Sequence, residues 1–384
     1  MRVLSREIDF IKRNRMFSAL AVGLPLVAIL YFLLLFRTGV PREFPVAVWD
    51  NDNSPLSRQL TRMIDAAPTV RVAYDIMSAE EGESLMKKGL IDAVIVIPKD
   101  MERTIYRVEQ ADVKILINGV NVTKNGLLER DLRTTLYTFS SGIQIQTLVK
   151  KGIPQKQAYD MMMPVYFEKH VLFNPYTSYT YYLLPVFLPM MLLVFILLTT
   201  VFSFGSELKN ATARQWLDSG GERIFISVLG KIFPYTVIFT FLAILSNLVM
   251  FRIIGAPMRG SIIMLFTLNL LFVLAYQSIG VVIIALSANL RLGLSIGGGY
   301  SVLAFTFSGY TFPLMAMTPL AQKIALIFPM TYYMRVFTDQ AMRGAPTSVD
   351  IPQMLYMSVF ILLALLVIPR LKRISSDENY WGRL

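Results

Sequence analysis

The residue types able to do chemistry are scarce in this sequence. It holds no cysteine and one histidine, His170, which rules out disulfides, thiolate metal sites and cysteine nucleophiles and leaves nothing from which to build a Cys/His cluster. A Ser/His/Asp set has only His170 to draw on, and that residue reads as a positioned surface histidine. Asp50, Asn51, Asp52 and Asn53 alternate oxygen ligands like the opening of an EF-hand loop, but Pro55 stands at the sixth position, where glycine is required, and Thr61 at the twelfth, where Glu belongs. Ser54 as an N-cap followed by Pro55 at the first helical position is the simpler reading. The segment "GGERIFISVLGK" ends in Gly-Lys, yet its spacing and apolar middle do not fit a phosphate loop, so ATP, if it drives this protein, is bound by another chain. No catalytic, cofactor-binding or metal-ligating residue is assigned to the chain itself.

What remains is charge in unusual company. The stretch "SELKNATARQWLDSGGER", Ser206 to Arg223, lies between two long apolar runs and keeps Leu208, Trp216 and Leu217 among its charged side chains. It reads as a short amphipathic helix with Trp216 and Leu217 as apolar anchors inside a charged rim, a surface made to be touched. In "MRVLSREIDFIKRNR" the residues Val3, Leu4, Ile8 and Ile11 form one helical face and Arg2, Arg6, Arg13 and Arg15 the other, the pattern of a helix lying in a membrane interface.

The elements that must carry these segments follow from composition. Of 384 residues 54% are hydrophobic and 16% charged, with a formal net charge of +11, the balance of a membrane protein. A bilayer core of roughly 30 Å needs about 20 apolar residues in a helix, and six stretches qualify or nearly so: 16–36, 181–204, 232–254, 261–286, 294–315 and 354–368. As drawn they contain no Asp, Glu or Lys and a single Arg, Arg252, near the outer end of the third, which weakens a proton-coupled carrier and an intramembrane hydrolase. Lys and Arg concentrate before the first stretch, between the second and third, at Arg291 and after the sixth. The positive-inside rule therefore puts both termini in the cytoplasm and 37–180 outside. The net charge reads as a topology signal, and nucleic acid is not a partner.

The outer segment is long enough for a domain of its own. "FPVAVWD", "VRVAYDI", "DAVIVIP" and "DVKILIN" read as strands, with helices starting near Pro55, Ser78, Lys99 and Val122 and one long helix over 125–150. The fold expected is an α-helical polytopic membrane protein of six transmembrane helices with an inserted extracytoplasmic α/β domain. It divides into an interfacial helix at 1–15, the first span at 16–36, the α/β domain at 37–180, spans two to six over 181–369 and a cytoplasmic tail at 370–384. Within 181–369 lie a cytoplasmic loop at 205–231 and an outer re-entrant segment at 311–330.

Several motifs resemble one family. "FSGYTFPLMAMTPLAQKIALIFPMTYYMRVF" is similar to a pattern of Ser-Gly, Phe-Pro, a short re-entrant outer segment and Pro-x-Thr-Tyr, here Ser308, Gly309, Phe312, Pro313, Pro319, Pro329, Thr331 and Tyr332. Asn174 and Pro175 match an Asn-Pro before span two, and "VAVWDNDNSPLSRQL" resembles the opening of an inserted domain. The loop matches at Glu207, Thr212, Leu217, Gly230 and Lys231, with Ala211 where Gly is usual and Ser219 near the usual Thr-Pro. Together these resemble permeases of type-2 ABC exporters with a large extracytoplasmic domain between spans one and two.

The resemblance implies that Glu207, Thr212, Trp216, Leu217 and Lys231 belong to a coupling helix docking on a separate ABC ATPase subunit, with ATP and Mg held by that partner and no cofactor by this chain. It implies an outer gate at Ser308, Gly309, Phe312, Pro313 and Pro329, and a homodimer or a pairing with a related permease. Between the two copies, Tyr182, Phe187, Phe195, Phe305, Phe307 and Tyr310 offer a soft apolar path to a hydrophobic or amphipathic substrate such as a drug-like molecule or lipid. Membrane lipids and a periplasmic adaptor protein are further candidate partners, and the bacterial inner membrane is the expected location. Export of an envelope lipid or polysaccharide, or a membrane receptor acting through its outer domain, are the alternative readings.

Overall fold

The computed structural model describes residues 2–37, 39–163, 168, 170–174 and 178–382. Pro175, used in the sequence reading, lies outside the described residues. The chain divides into two compact units, Met1–Gly39 with Val171–Leu384, and Val40–His170.

The first unit begins with α1 (Arg2–Arg13), followed by a short helical turn at Arg15–Ser18 and the apolar helix α2 (Ala19–Leu35), whose first turn is π-wound. The second unit is a four-stranded sheet of β1 (Phe44–Asp50), β2 (Val70–Asp75), β3 (Ala93–Ile97) and β4 (Lys114–Ile117) in the order β2-β1-β3-β4, with β1 parallel to β2 and β3 and with β4 antiparallel at the edge. Helices α3 (Pro55–Asp65), α4 (Ala79–Lys87) and α5 (Met101–Tyr106) connect the strands, and α6 (Val122–Lys150) and α7 (Gln155–Met162) follow them. Central β1 reads as a nearly unbroken apolar run because a parallel sheet is covered on both faces, and Val46, Ala47 and Val48 are buried. Ser54 caps α3 through a reciprocal pair with Ser57, with Pro55 in its first turn. The Asp50 carboxylate accepts the N–H groups of Asp52 and Asn53 at 2.9 and 3.1 Å and the Ser57 hydroxyl at 2.6 Å. Its oxygens thus close a turn and a cap.

The first unit resumes with α8 (Tyr179–Lys209), the short α9 (Ala213–Ser219), α10 (Ile224–Leu248, running on in a π-turn to Ile253), α11 (Ile262–Ser287), α12 (Leu290–Thr306), α13 (Pro319–Ala325), α14 (Pro329–Phe337) and α15 (Thr347–Ser376). Four of these, at Tyr179–Lys209, Ile224–Ile253, Ile262–Ser287 and Thr347–Ser376, are long and apolar enough to cross a membrane. Its core is one continuous cluster centred on α8, α10, α11 and α14.

Three expectations need correction. The fifth apolar stretch, expected over 294–315, is helical only over Leu290–Thr306. Gly309 then turns the chain with φ +78°, a conformation that ends an α-helix, and Pro313 follows. Second, α8 extends past 204 to Lys209 and α10 starts at Ile224 instead of 232, so Glu207 and Lys231, expected in the loop, lie inside apolar helices. Third, α15 takes in the first seven residues of what was read as the tail, 370–376, continuing to Ser376.

A buried charge cluster at the loop after α8

Two isolated charges inside apolar helices need partners, since an unpaired buried ion costs several kcal/mol. Lys231, in the second turn of α10, donates to Glu207 Oε1 at 2.9 Å and to Glu7 Oε2 at 2.8 Å. Glu7 and Lys231 side chains are each only 1% exposed. The second Glu7 oxygen accepts the Ser203 hydroxyl at 2.9 Å and the Tyr235 hydroxyl at 2.6 Å. The second Glu207 oxygen accepts Arg6 Nη2 at 2.7 Å and the Thr212 hydroxyl. Two cations and two carboxylates therefore cancel, and every carboxylate oxygen has a donor. The Lys231 ammonium also lies 5.8 Å from the ring centroids of Phe204 and Trp216, a cation–π arrangement that suits a charge withdrawn from water.

The cluster ties α1, α8, the loop and α10 into one body. Gly230 lets α1 come close: a Cβ there would stand 2.8 Å from the Val3 Cβ. Trp216 packs edge-on against Phe204, centroids 5.4 Å apart, and its indole N–H donates to the Ser227 carbonyl at 3.2 Å. Trp216 is 1% and Leu217 5% exposed. This corrects the reading of these two as anchors presented to a partner: on a seven-residue helix lying against α8, α10 and α15, the apolar side chains are consumed by the chain's own core. The exposed face of the loop is polar, formed by Lys209, Arg214, Gln215, Asp218, Glu222 and Arg223. The basic face of α1 is corrected likewise, because Arg6 turns inward to Glu207. Glu7 was missed altogether. Its signal was present: four residues after Val3, it falls on the apolar stripe of a helix otherwise rich in arginine.

The outer-gate residues do not form one contact. Ser308 and Gly309 make the turn after α12, where a Cβ on Gly309 would lie 2.6 Å from Leu314 Cγ. Phe312 and Pro313 are exposed just beyond it, while Pro329 is buried in the first turn of α14. Between them the backbone is broken, with a 3-10 turn at Leu314–Ala316 and Thr318 capping α13. Hydroxyls satisfy the carbonyls this leaves free, as irregular backbone inside an apolar body requires. Tyr300 donates to Ile327 O at 2.8 Å, Tyr332 to Leu326 O at 3.0 Å, and Thr331 to Ala325 O at 2.7 Å.

The aromatic candidates fall into separate groups. Phe187 lies among Phe32, Phe36 and Phe305, with centroids 5.2, 5.8 and 5.9 Å away. Tyr182 stacks on Tyr310 at 5.1 Å, and Phe307 on Phe328 at 5.8 Å. Phe195 is half-buried and has no ring contact with the others among the described residues. Phe32 of α2 and Phe36 just past its end were not anticipated.

This arrangement ties the loop to α1, α8 and α10 through paired charges. A profile described as "ABC-2 family transporter protein" matches residues 15–368. The chain belongs to the ABC-2 family of transporter proteins. Over 364 residues it is 21% identical to the "Probable multidrug ABC transporter permease YbhS" of Escherichia coli K12, covering 94% of this chain and 91% of the relative, and equally to the protein of the same name from Escherichia coli O157:H7. As an ABC-2 chain with several long apolar helices, it is a multi-pass membrane permease whose family works with an ABC ATPase subunit.

Proposed function

We propose that this chain is the permease subunit of an ATP-driven exporter, moving a hydrophobic or amphipathic substrate outward through a path formed with a second permease copy. Six spans place both termini and the loop after α8 in the cytoplasm and the α/β unit outside, in a bacterial inner membrane. ATP and Mg belong to a separate ATPase, and the chain itself catalyses nothing. The observation that carries this reading is the charge cluster of Glu7, Arg6, Glu207 and Lys231. A force on the exposed face of α9 passes through it to α1, α8 and α10 together, which is what a partner's nucleotide cycle requires of a lever. Trp216 and Leu217 shape that lever from behind, and the docking face is the polar one around Arg214 and Asp218.

The test is capture of the partner ATPase by the permease, with ATP turnover measured in nanodiscs. Reversing both charges, Arg214→Glu with Asp218→Lys, is expected to weaken binding about tenfold or more, since like charges brought together in an interface cost more than the roughly 1.4 kcal/mol this represents. The thermal midpoint of the isolated permease should not move, because both side chains are exposed. Unchanged ATPase binding and turnover in that variant would sink the docking face.

A further inference from the structure

The first third of α8 is interrupted by proline and lies against a polar recess. Pro185 and Pro189 stand inside the helix, so Pro189 has no N–H to give the Pro185 carbonyl, and Pro185 has none for that of Tyr181. Beside the prolines a cavity of about 10 Å³ lies between α8, α10, α11 and α14. Both prolines, Asn247, Asn269 and Tyr333 line it among apolar side chains. It has room for a single water molecule.

The polar groups around the recess do not satisfy one another. Asn269 is 2% exposed, and its Oδ1 accepts the Tyr333 hydroxyl at 3.0 Å. Among the described residues its amide N–H groups meet no acceptor, and half-buried Asn247 has no hydrogen-bond partner at all. Ser246, also on the wall, has spent its proton on Leu242 O at 2.8 Å. An amide withdrawn from water without a partner is costly. Inside a membrane, carbonyls freed by proline are met by neighbouring side chains or by ordered water, and among the described residues no side chain donates to Tyr181 O or Pro185 O. The recess holds no carboxylate, and Asn269 leaves only N–H to whatever fills it, which suits water and repels a metal ion.

We propose that this recess binds one water molecule and that the water makes the proline break a hinge in α8. The water accepts an Asn269 N–H and donates to Asn247 Oδ1 and to the Pro185 carbonyl, about three bonds being usual for a buried water. It thereby joins α8 to α10 and α11, and through Asn269 to Tyr333 of α14. A helix bends where proline or an inserted water replaces its own ladder, because a bond to a mobile water is remade more readily than a backbone bond. The turn before the break carries Tyr182, whose ring stacks on Tyr310 at 5.1 Å and whose hydroxyl donates to Tyr310 O at 3.3 Å. Bending at Pro185 and Pro189 shifts that contact while the rest of α8 stays packed on α11 and α12. The hinge is a property of the helix and stands whether or not the chain exports.

The test uses the full-length chain in nanodiscs and a brief X-ray pulse, which turns water into hydroxyl radicals and so marks side chains beside water held inside the protein. Met250 lines the recess and is 2% exposed, whereas Met330 and Met357, both 0% exposed, lie outside it. Met250 is expected to be oxidised several-fold faster than Met330 and Met357, and its excess should vanish in Asn247→Leu with Asn269→Leu, which fills the recess with apolar groups. If that double variant does not fold, Asn247→Leu alone serves: Asn247 bonds no other described residue, so the thermal midpoint should hold while the excess at Met250 shrinks. Amide hydrogen exchange reads the hinge, and exchange at Val186–Leu188 should be several-fold faster than at Leu192–Phe204 of the same helix. A Met250 no more reactive than the two reference methionines, or an excess that survives intact in the variant that folds, would overturn the water site. Equal exchange along these two parts of α8 would overturn the hinge.

Discussion

Lys231 is where the physics of single residues is most exposed. With its side chain 1% exposed, its charge is tolerable only because Glu7 and Glu207 flank it. Lys231→Ala is expected to cost about 3–5 kcal/mol of stability, because it strands two buried carboxylates. The triple change Lys231→Met, Glu7→Gln, Glu207→Gln should recover most of that loss, since it removes the charges with their partner. Thermal midpoints in nanodiscs decide the point; equal losses in the single and triple variants would mean that packing, and not charge, sets the cost. Trp216→Ala belongs to the same scale. It empties a buried site and should destabilise by about 3–5 kcal/mol, a loss visible without any ATPase present. The sequence made Lys231 and Glu207 visible as matched motif positions but could not say what they touch. Glu7, 224 positions from Lys231 along the chain, comes to it only through the fold, and a short stretch holding one tryptophan reads the same whether the ring faces a partner or the chain's own core.

At the scale of elements, the strands and the caps of the α/β unit were legible because their signals are local. "FPVAVWD" became β1 without change, and Ser54 with Pro55 starts α3 as the capping chemistry dictates. Helix ends in apolar runs were not legible, since hydropathy does not change where a helix stops inside an apolar body. The end of α12 illustrates this. Phe305 to Phe312 stays apolar enough to extend a span, yet the chain turns at Gly309. Gly309→Val should therefore be severe, combining a left-handed backbone that a β-branched residue rarely adopts with a Cβ 2.6 Å from Leu314 Cγ. A loss of about 2–4 kcal/mol is expected, whereas Gly298→Ala inside α12, with open space around it, should be neutral or slightly stabilising. Similar midpoints for the two variants would show that the turn after α12 does not depend on Gly309.

For the whole molecule, topology rests on two helices of marginal length. At 1.5 Å per residue the four long helices exceed a core of roughly 30 Å, but α2 over Ala19–Leu35 and the 17-residue α12 reach only about 26 Å. If both cross, the membrane thins locally or flanking residues complete the passage, and the count is six. If α2 does not cross, Lys99 shares a side with α1; if α12 does not, Lys323 shares a side with Arg291. The absence of cysteine lets each alternative be read from one introduced thiol. Lys99, Lys209 and Lys323 are all exposed, so failure to label reports the membrane and not burial. With six spans, an impermeant maleimide added to intact cells should label Lys99→Cys and Lys323→Cys, and reach Lys209→Cys only after permeabilisation. Each wrong answer has its own structural meaning. Labelling at Lys99 with protection at Lys323 removes α12 from the bilayer, whereas α2 is removed if Lys12→Cys, exposed on α1, labels from the same side as Lys99→Cys. Labelling at Lys209 in intact cells inverts the protein and with it the cytoplasmic docking face of α9, because no ATPase could then reach the polar surface that the charge cluster holds in place.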